Sequence, residues 1–295
     1  MSFASDIKKE ICAEEMPEVC CMRAELAGII GVGAAINGGI IKFKTEKAFV
    51  AQHVYMLIRD LYGIKAEACA TDGGMFEISA DNANSLKILR DLRLADTPVH
   101  IHSDIIRNEC CRRSVIKGAF FGGGSVSNPK KGYHCEFTTG RYTVCSDLCA
   151  ILKHYEIYPK QIVRNGNHIC YIKDSEQIEN LLALLGAHNQ MMEFLNVKIE
   201  KEMRNSTNRR VNCEAANIVK AANAGAIQRN AIIKIKNTVG FDSLPPALLS
   251  LAVERLNNSE SSLSELASKL GVSKSCINHR MRKLISIAEG TEEQL

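Results

Sequence analysis

The stretch SKSCINHRMRKL, residues 273–284, holds the side chains best suited to chemistry on a polyanion. Lys274, Arg280, Arg282 and Lys283 are cations; Ser273, Ser275, Asn278 and His279 offer hydrogen bonds. A side-chain amide reads adenine through paired hydrogen bonds, and polar residues early in a recognition helix reach base edges. Lys274, Ser275, Asn278 and His279 are therefore the expected base contacts, with Arg280, Arg282 and Lys283 on phosphates. Residues 263–288 carry five Lys and Arg against one Glu, a balance of +4 that equals the net charge of the whole 295-residue chain. The competing reading is a solvated basic face, or one that packs on a protein partner. Other constellations are weaker. Ser125, Ser127 and His134 lack an acid placed to orient the histidine, so no hydrolytic centre is expected. The 12 cysteines include Cys20-Cys21, Cys110-Cys111 and Cys145/Cys149 rather than C-x-x-C pairs, so neither a metal nor a cofactor is expected and the thiols are read as reduced.

These side chains need a rigid mount, and the flanking residues supply the offsets of a helix-turn-helix. Leu263, Leu266, Ala267 and Leu270 make the buried stripe of a first helix, in which small Ala267 permits close approach. Gly271 suits a left-handed corner, Val272 fills it, and Ser273 caps a second helix that buries Ile277, Met281, Leu284 and Ile285. Upstream, Ser243 is placed to cap a helix whose first turn holds Pro245 and Pro246. Residues 188–243 carry no strand signal and read as a helical linker with a polar break at 205–208.

The N-terminal two thirds is a duplication. CMRAELAGIIGVGAAI (21–36) has a counterpart in RRSVIKGAFFGGGSVS (112–127), with Gly28 matching Gly118 and Gly33 matching Gly123. Each copy continues into strand-like runs, a helix and a hairpin. The turns Asp72-Gly73 and Asn165-Gly166 both read as two-residue type I′ turns. Helices NANSLKILRDLRL (82–94) and SEQIENLLALLGA (175–187) close the copies. Two helices rich in small residues pack side by side along a pseudo-twofold axis, and the strands form one saddle across the pair. The fold class is α+β, a duplicated αββαββα domain followed by an all-α domain. Lys130, Lys131, His134, Arg141, Lys160, Arg164 and Lys173 lie along the expected sheet, interrupted by Glu136, Asp174 and Glu176, and read as solvated hairpin residues rather than duplex contacts.

LAGIIGVGAAI and IKGAFFGGGSV, each followed by strand, helix, hairpin and helix, resemble the LAGLIDADG homing endonucleases. The resemblance implies a metal-binding carboxylate near the end of each helix. Those positions are Gly33 and Gly123 here, with Gly31 and Phe121 at the other acid of the motif. Glycine offers no ligand, so a cleavage centre is not expected. Glu25 and Glu109 lie upstream and read as solvated or capping acids.

A degenerate nuclease domain joined to a helix-turn-helix resembles the WhiA family. The carriers are RRSVIKGAFFGGGSVSNPKKGYHCEF, NRRVNCEAANIVKAA, SLPPALLSLAVERL and SLSELASKLGVSKSCINHRMRKLISIA. The resemblance implies a non-enzymatic regulator that binds double-stranded DNA in cell division and chromosome segregation. In some bacteria it also implies control of sporulation with an RNA polymerase sigma factor. One departure is Arg280, where many helix-turn-helix patterns have an aliphatic residue, with Met281 taking the packing role. The expected parts are residues 1–95 and 96–200 as the two halves, 201–243 as linker and 244–295 as the DNA-binding domain. The alternatives are an active metal-dependent endonuclease and an interaction scaffold on the polymerase.

Composition fits this reading: 46% hydrophobic and 24% charged residues describe a folded chain rather than a disordered one. No run approaches the ~18 apolar residues that a membrane span needs. The charged N-terminus MSFASDIKKEICAEE carries no apolar signal region, so a cytoplasmic protein is expected, and the resemblance to a DNA-binding family implies one that is nucleoid-associated.

Overall fold

A computed structural model describes residues 2–14, 18–71 and 73–290. The chain forms two compact units, residues 1–201 and 202–295. In the first unit, α1 (Phe3–Cys12) begins at Ser2, whose hydroxyl accepts from the Ser5 N–H. The first half then runs α2 (Val19–Gly33), β1 (Ala34–Asn37), β2 (Ile40–Thr45), α3 (Ala48–Tyr62), β3 (Glu67–Thr71), β4 (Met75–Ser79) and α4 (Asn82–Asp91). The second half repeats the order as α5 (Glu109–Gly123), β5 (Gly124–Val126), β6 (Cys135–Thr139), α6 (Tyr142–Lys153), β7 (Lys160–Arg164), β8 (Asn167–Ile172) and α7 (Ser175–Leu185).

The strands make two antiparallel four-stranded sheets, β1-β2-β4-β3 and β5-β6-β8-β7, in place of one continuous saddle. Each half satisfies its own strand hydrogen bonds, and packing of α2 on α5 joins the halves. Alternation sets the buried faces: Ile41 and Phe43 point inward on β2, and Cys135, Phe137 and Thr139 on β6. Arg164 pairs with Asn167, leaving Asn165 (φ 51°) and Gly166 (φ 76°) as the expected type I′ turn. The first copy differs. Thr71 pairs with Met75, which makes a three-residue connection with Gly73 at φ 113° and Gly74 at φ 77°; Asp72 lies outside the described residues.

α2 and α5 approach backbone to backbone. A Cβ on Gly28 would stand 2.3 Å from the Val115 carbonyl oxygen, and one on Gly118 would stand 1.9 Å from that of Glu25. The small residues at matching positions in the two copies are the condition for this approach, because any side chain would push the helices apart. Around them lies one core of Leu26, Ile29, Ile30, Phe43, Val115, Ile116, Phe120 and Phe137, closed at its edge by Phe3 and Phe194.

Residues 188–238 are a single helix, α8 (His188–Thr238). The polar break expected at 205–208 is helical. Asn, Ser and Thr each cost only a few tenths of a kcal/mol in a helix relative to good formers, and neither Gly nor Pro stands within 205–208. Phe194 of α8 belongs to the core of the first unit, and Ile232 and Ile235 belong to that of the second. After a 3-10 turn (Phe241–Ser243) come α9 (Pro246–Asn257), α10 (Leu263–Lys269) and α11 (Lys274–Gly290). Ser243 does not cap α9: its hydroxyl donates to the Gly240 carbonyl, and Pro245 occupies the cap position. Among the described residues, no helix is long and apolar enough to cross a membrane.

Two glycines of α2 and α5 separate close approach from simple helix propensity. Gly118→Ala is expected to destabilise the first unit by at least about 1–3 kcal/mol, because a backbone carbonyl cannot yield. Gly31→Ala meets only Val144 Cγ1, at 3.8 Å. It is expected to stabilise by about 0.5–1 kcal/mol through helix propensity. Denaturant midpoints of the two variants should move in opposite directions.

Candidate nucleic-acid interface

The helix-turn-helix forms from its expected parts. Ser262 caps α10 in a reciprocal box: its hydroxyl accepts from the Glu265 N–H at 3.2 Å, and its own N–H donates to Glu265 at 2.7 Å. Leu266 and Ala267 are buried, while Leu263 and Leu270 are half-buried. Gly271 turns the corner at φ 63°, and the Val272 N–H donates back to the Ala267 carbonyl at 3.0 Å. The Ser273 hydroxyl accepts from the Cys276 N–H at 3.2 Å and so caps α11. Ser273 is thereby engaged at a helix start while staying exposed.

α11 buries Ile277, Met281, Leu284 and Ala288, a stripe at helical spacing that fixes the rotation of the helix. Met281 is 2% exposed and fills the packing position, which leaves Arg280 at the rim. Ile285 is only half-buried. At about 100° per residue, Asn278 and Arg280 fall on opposite flanks of the helix. Both are half-buried. Lys274, Ser275, His279, Arg282 and Lys283 are exposed, and Ser275, His279 and Arg282 follow one another at i, i+4 and i+7. The outward stripe thus centres on Ser275 and His279, with Asn278 beside it. Lys269 of α10 is committed elsewhere, with Nζ 3.4 Å from Glu254 and 2.6 Å from the Asn258 side-chain oxygen. Among the described residues, no carboxylate lies within 4.0 Å of the Lys274, Arg280, Arg282 or Lys283 nitrogens, so their charge is not cancelled locally.

The helix ends of the first unit have different chemistry. Gly33 and Gly123 are the last residues of α2 and α5. A Cβ on Gly33 would stand 2.4 Å from the Gly122 carbonyl oxygen, and one on Gly123 would stand 2.2 Å from that of Thr138. A carboxylate at either position requires the backbone to move. Arg141, read from sequence as a solvated hairpin residue, is instead bound at the end of α2. Its guanidinium donates to the carbonyls of Gly31 and Ala34, both at 2.7 Å, and of Ile30 at 3.3 Å. Burial lowers its pKa from the usual arginine value, yet the guanidinium remains charged and faces the negative end of the helix dipole. No sequence signal marks this role, because the partners lie more than a hundred positions away.

The other sheet cations are divided. His134 and Arg164 both reach Glu136, at 3.1 Å each, whereas Lys130, Lys131, Lys160 and Lys173 are exposed. Glu25 is not a solvated acid: it is 3% exposed and meets His53 Nε2 at 2.5 Å. Glu109 is exposed in the first turn of α5, where Arg112 pairs with it at 3.0 Å. The vicinal pairs Cys20-Cys21 and Cys110-Cys111, set aside as metal ligands on spacing, come together at the start of α2 and α5.

Comparison with known proteins agrees with this architecture. Residues 19–78 match the WhiA N-terminal LAGLIDADG-like domain, 112–204 the WhiA LAGLIDADG-like domain and 207–288 the WhiA C-terminal HTH domain. The chain is 36% identical to the probable cell division protein WhiA of Ruminiclostridium cellulolyticum, covering 98% of this chain and 97% of that one. It is 34% identical to the probable cell division protein WhiA of Bacillus subtilis, with coverage of 98% and 96%. The crystal structure of full-length DUF199/WhiA from Thermatoga maritima superposes with a TM-score of 0.62 at 26% identity, covering 98% of each chain. With its three domains matched in order and its relatives aligned end to end, this chain belongs to the WhiA family.

Proposed function

We propose that the protein is a non-enzymatic regulator that binds duplex DNA in a sequence-specific manner, through α11, in cell division. The observation that carries the reading is the exposed stripe Ser275, His279, Arg282 and Lys283, mounted on a capped helix-turn-helix and free of local carboxylates among the described residues. Lys274, Ser275, Asn278 and His279 read bases, and Arg280, Arg282 and Lys283 hold phosphates. The names of the relatives support the cell-division setting. Chromosome segregation, sporulation control with an RNA polymerase sigma factor and a nucleoid location are finer readings of the same resemblance.

A nuclease centre is disfavoured by the closed ends of α2 and α5. Gly33 and Gly123 have no room for a side chain, and Arg141 already supplies a fixed cation at the α2 carbonyls. A divalent ion there would face repulsion from that cation.

Binding of the full chain to its preferred duplex should weaken linearly in a log–log plot against salt. Arg282→Ala and Lys283→Ala are each expected to reduce that slope by about one and to weaken all duplexes alike. Asn278→Ala is expected to cost about 1–3 kcal/mol on the preferred site and to leave non-specific binding unchanged. Fluorescence anisotropy on matched and scrambled duplexes measures both; equal losses on the two would remove Asn278 as a base reader. A salt-insensitive complex with a protein, and none with DNA, would favour the scaffold reading.

Arg141→Met removes three charge-assisted hydrogen bonds and is expected to lower stability by about 1.5–3 kcal/mol. Neither this variant nor the wild type should nick plasmid in magnesium. Nicking by both would restore the endonuclease reading.

A further inference from the structure

Four thiols meet where α2 and α5 begin. Cys20 and Cys21 stand at the second and third positions of α2, and Cys110 and Cys111 stand at the same positions of α5. The Sγ atoms of all four lie within 4.8 Å of one another, with 3.9 Å between Cys20 and Cys21 and 4.0 Å between Cys110 and Cys111. The symmetry of the two copies places the pairs opposite each other across the helix crossing. No C-x-x-C spacing is needed, because two helices supply the second pair that one segment would otherwise provide.

We propose that Cys20, Cys21, Cys110 and Cys111 form a mononuclear zinc site that clasps the first turns of α2 and α5. A tetrahedral ion with Zn–S bonds of about 2.3 Å holds its sulfurs about 3.8 Å apart, close to the vicinal spacings here. Polynuclear iron–sulfur clusters spread their cysteine sulfurs more widely, so the geometry selects a single ion. Four soft donors select zinc over magnesium or calcium. Each thiol loses its proton on binding, and four thiolates with one Zn²⁺ leave a net charge of −2 at the site. Two features offset that charge. The first turns of both helices present N–H groups with no side-chain cap at Glu18 or Asn108. Arg23, Arg93 and Arg107 also line a cavity of about 380 Å³ together with Cys20 and Cys111. Arg23 is held by Asp91 and Arg107 by Asp104, whereas Arg93 has no carboxylate within 4.0 Å among the described residues. Consecutive residues about 3.8 Å apart at Cα fall short of the usual 4.4–6.8 Å of a disulfide, so bridging them would distort the first turn of the helix. The oxidative alternative is therefore a disulfide from one helix to the other.

The test uses the full chain, reduced and stripped of metal, and titrated with Co²⁺ and then Zn²⁺. The expected result is one equivalent bound, with thiolate-to-cobalt charge transfer in the near ultraviolet and intense visible bands of a tetrahedral centre. Zinc should displace the cobalt and raise the denaturation midpoint. Cys110 is exposed, so Cys110→Ser leaves the packing intact; it should weaken zinc at least tenfold and alter the cobalt spectrum. Cys69→Ser and Cys213→Ser, at exposed thiols elsewhere, should change neither. The proposal is overturned if cobalt gives no thiolate charge transfer, if all four thiols react equally fast with and without zinc, or if the native protein carries an interhelical disulfide and no metal. DNA binding by α11 is a separate matter and survives any of these outcomes.

Discussion

The first unit depends on two helices touching through their backbones. Gly28 and Gly118 are interleaved so tightly that neither has room for a methyl group, and Gly33 meets Gly122 in the same way further along. Small residues at matching positions of the two copies make this approach possible, and the approach makes one core out of two halves. No strand pairs across the halves, since each sheet closes its own strand pairing. Side chains from both halves, including Ile29, Phe43, Val115 and Phe137, then pack in a shared interior. At interior density, the volume of a single added carbon has nowhere to go.

The same crossing arranges the chemistry at the two ends of the helix pair. At the N-terminal end it brings four cysteines from distant segments within contact of one another. At the C-terminal end it closes Gly33 and Gly123 against carbonyls, while Arg141 faces the last carbonyls of α2. Helix dipoles favour anionic thiolate at the first end and guanidinium at the second. In this LAGLIDADG-like helix pair the cation at the far end is thus turned on the protein's own backbone carbonyls.

The second unit uses the same device on a smaller scale. Small Ala267 and left-handed Gly271 bring α11 close to α10, and Ile277, Met281 and Leu284 fix its rotation. Once that rotation is fixed, the placement of Ser275, His279, Arg282 and Lys283 follows from helical periodicity alone. Packing on one face thus positions the polar groups on the other. Lys269 of the first helix is paired with Glu254, whereas the α11 cations have no carboxylate within 4.0 Å among the described residues.

Local signals wrote much of this. Periodicity gave the strand and helix order of both copies, Asn165-Gly166 gave its turn, and Ser273 with Gly271 gave the helix-turn-helix corner. Matching glycines at Gly28 and Gly118 announced a close crossing. The sheets, by contrast, separate into two because strand partners are chosen by contacts that no single segment encodes. Residues 205–208 stay helical because their weak propensities are outvoted by the flanking turns. Glu25 is buried against His53, Arg141 sits on carbonyls of α2 and the cysteine pairs converge, each through partners far away in sequence. Sequence alone determined what is periodic or local, because those preferences act within a few residues. The three-dimensional fold decided which polar groups meet, because that depends on where distant backbones are brought into contact.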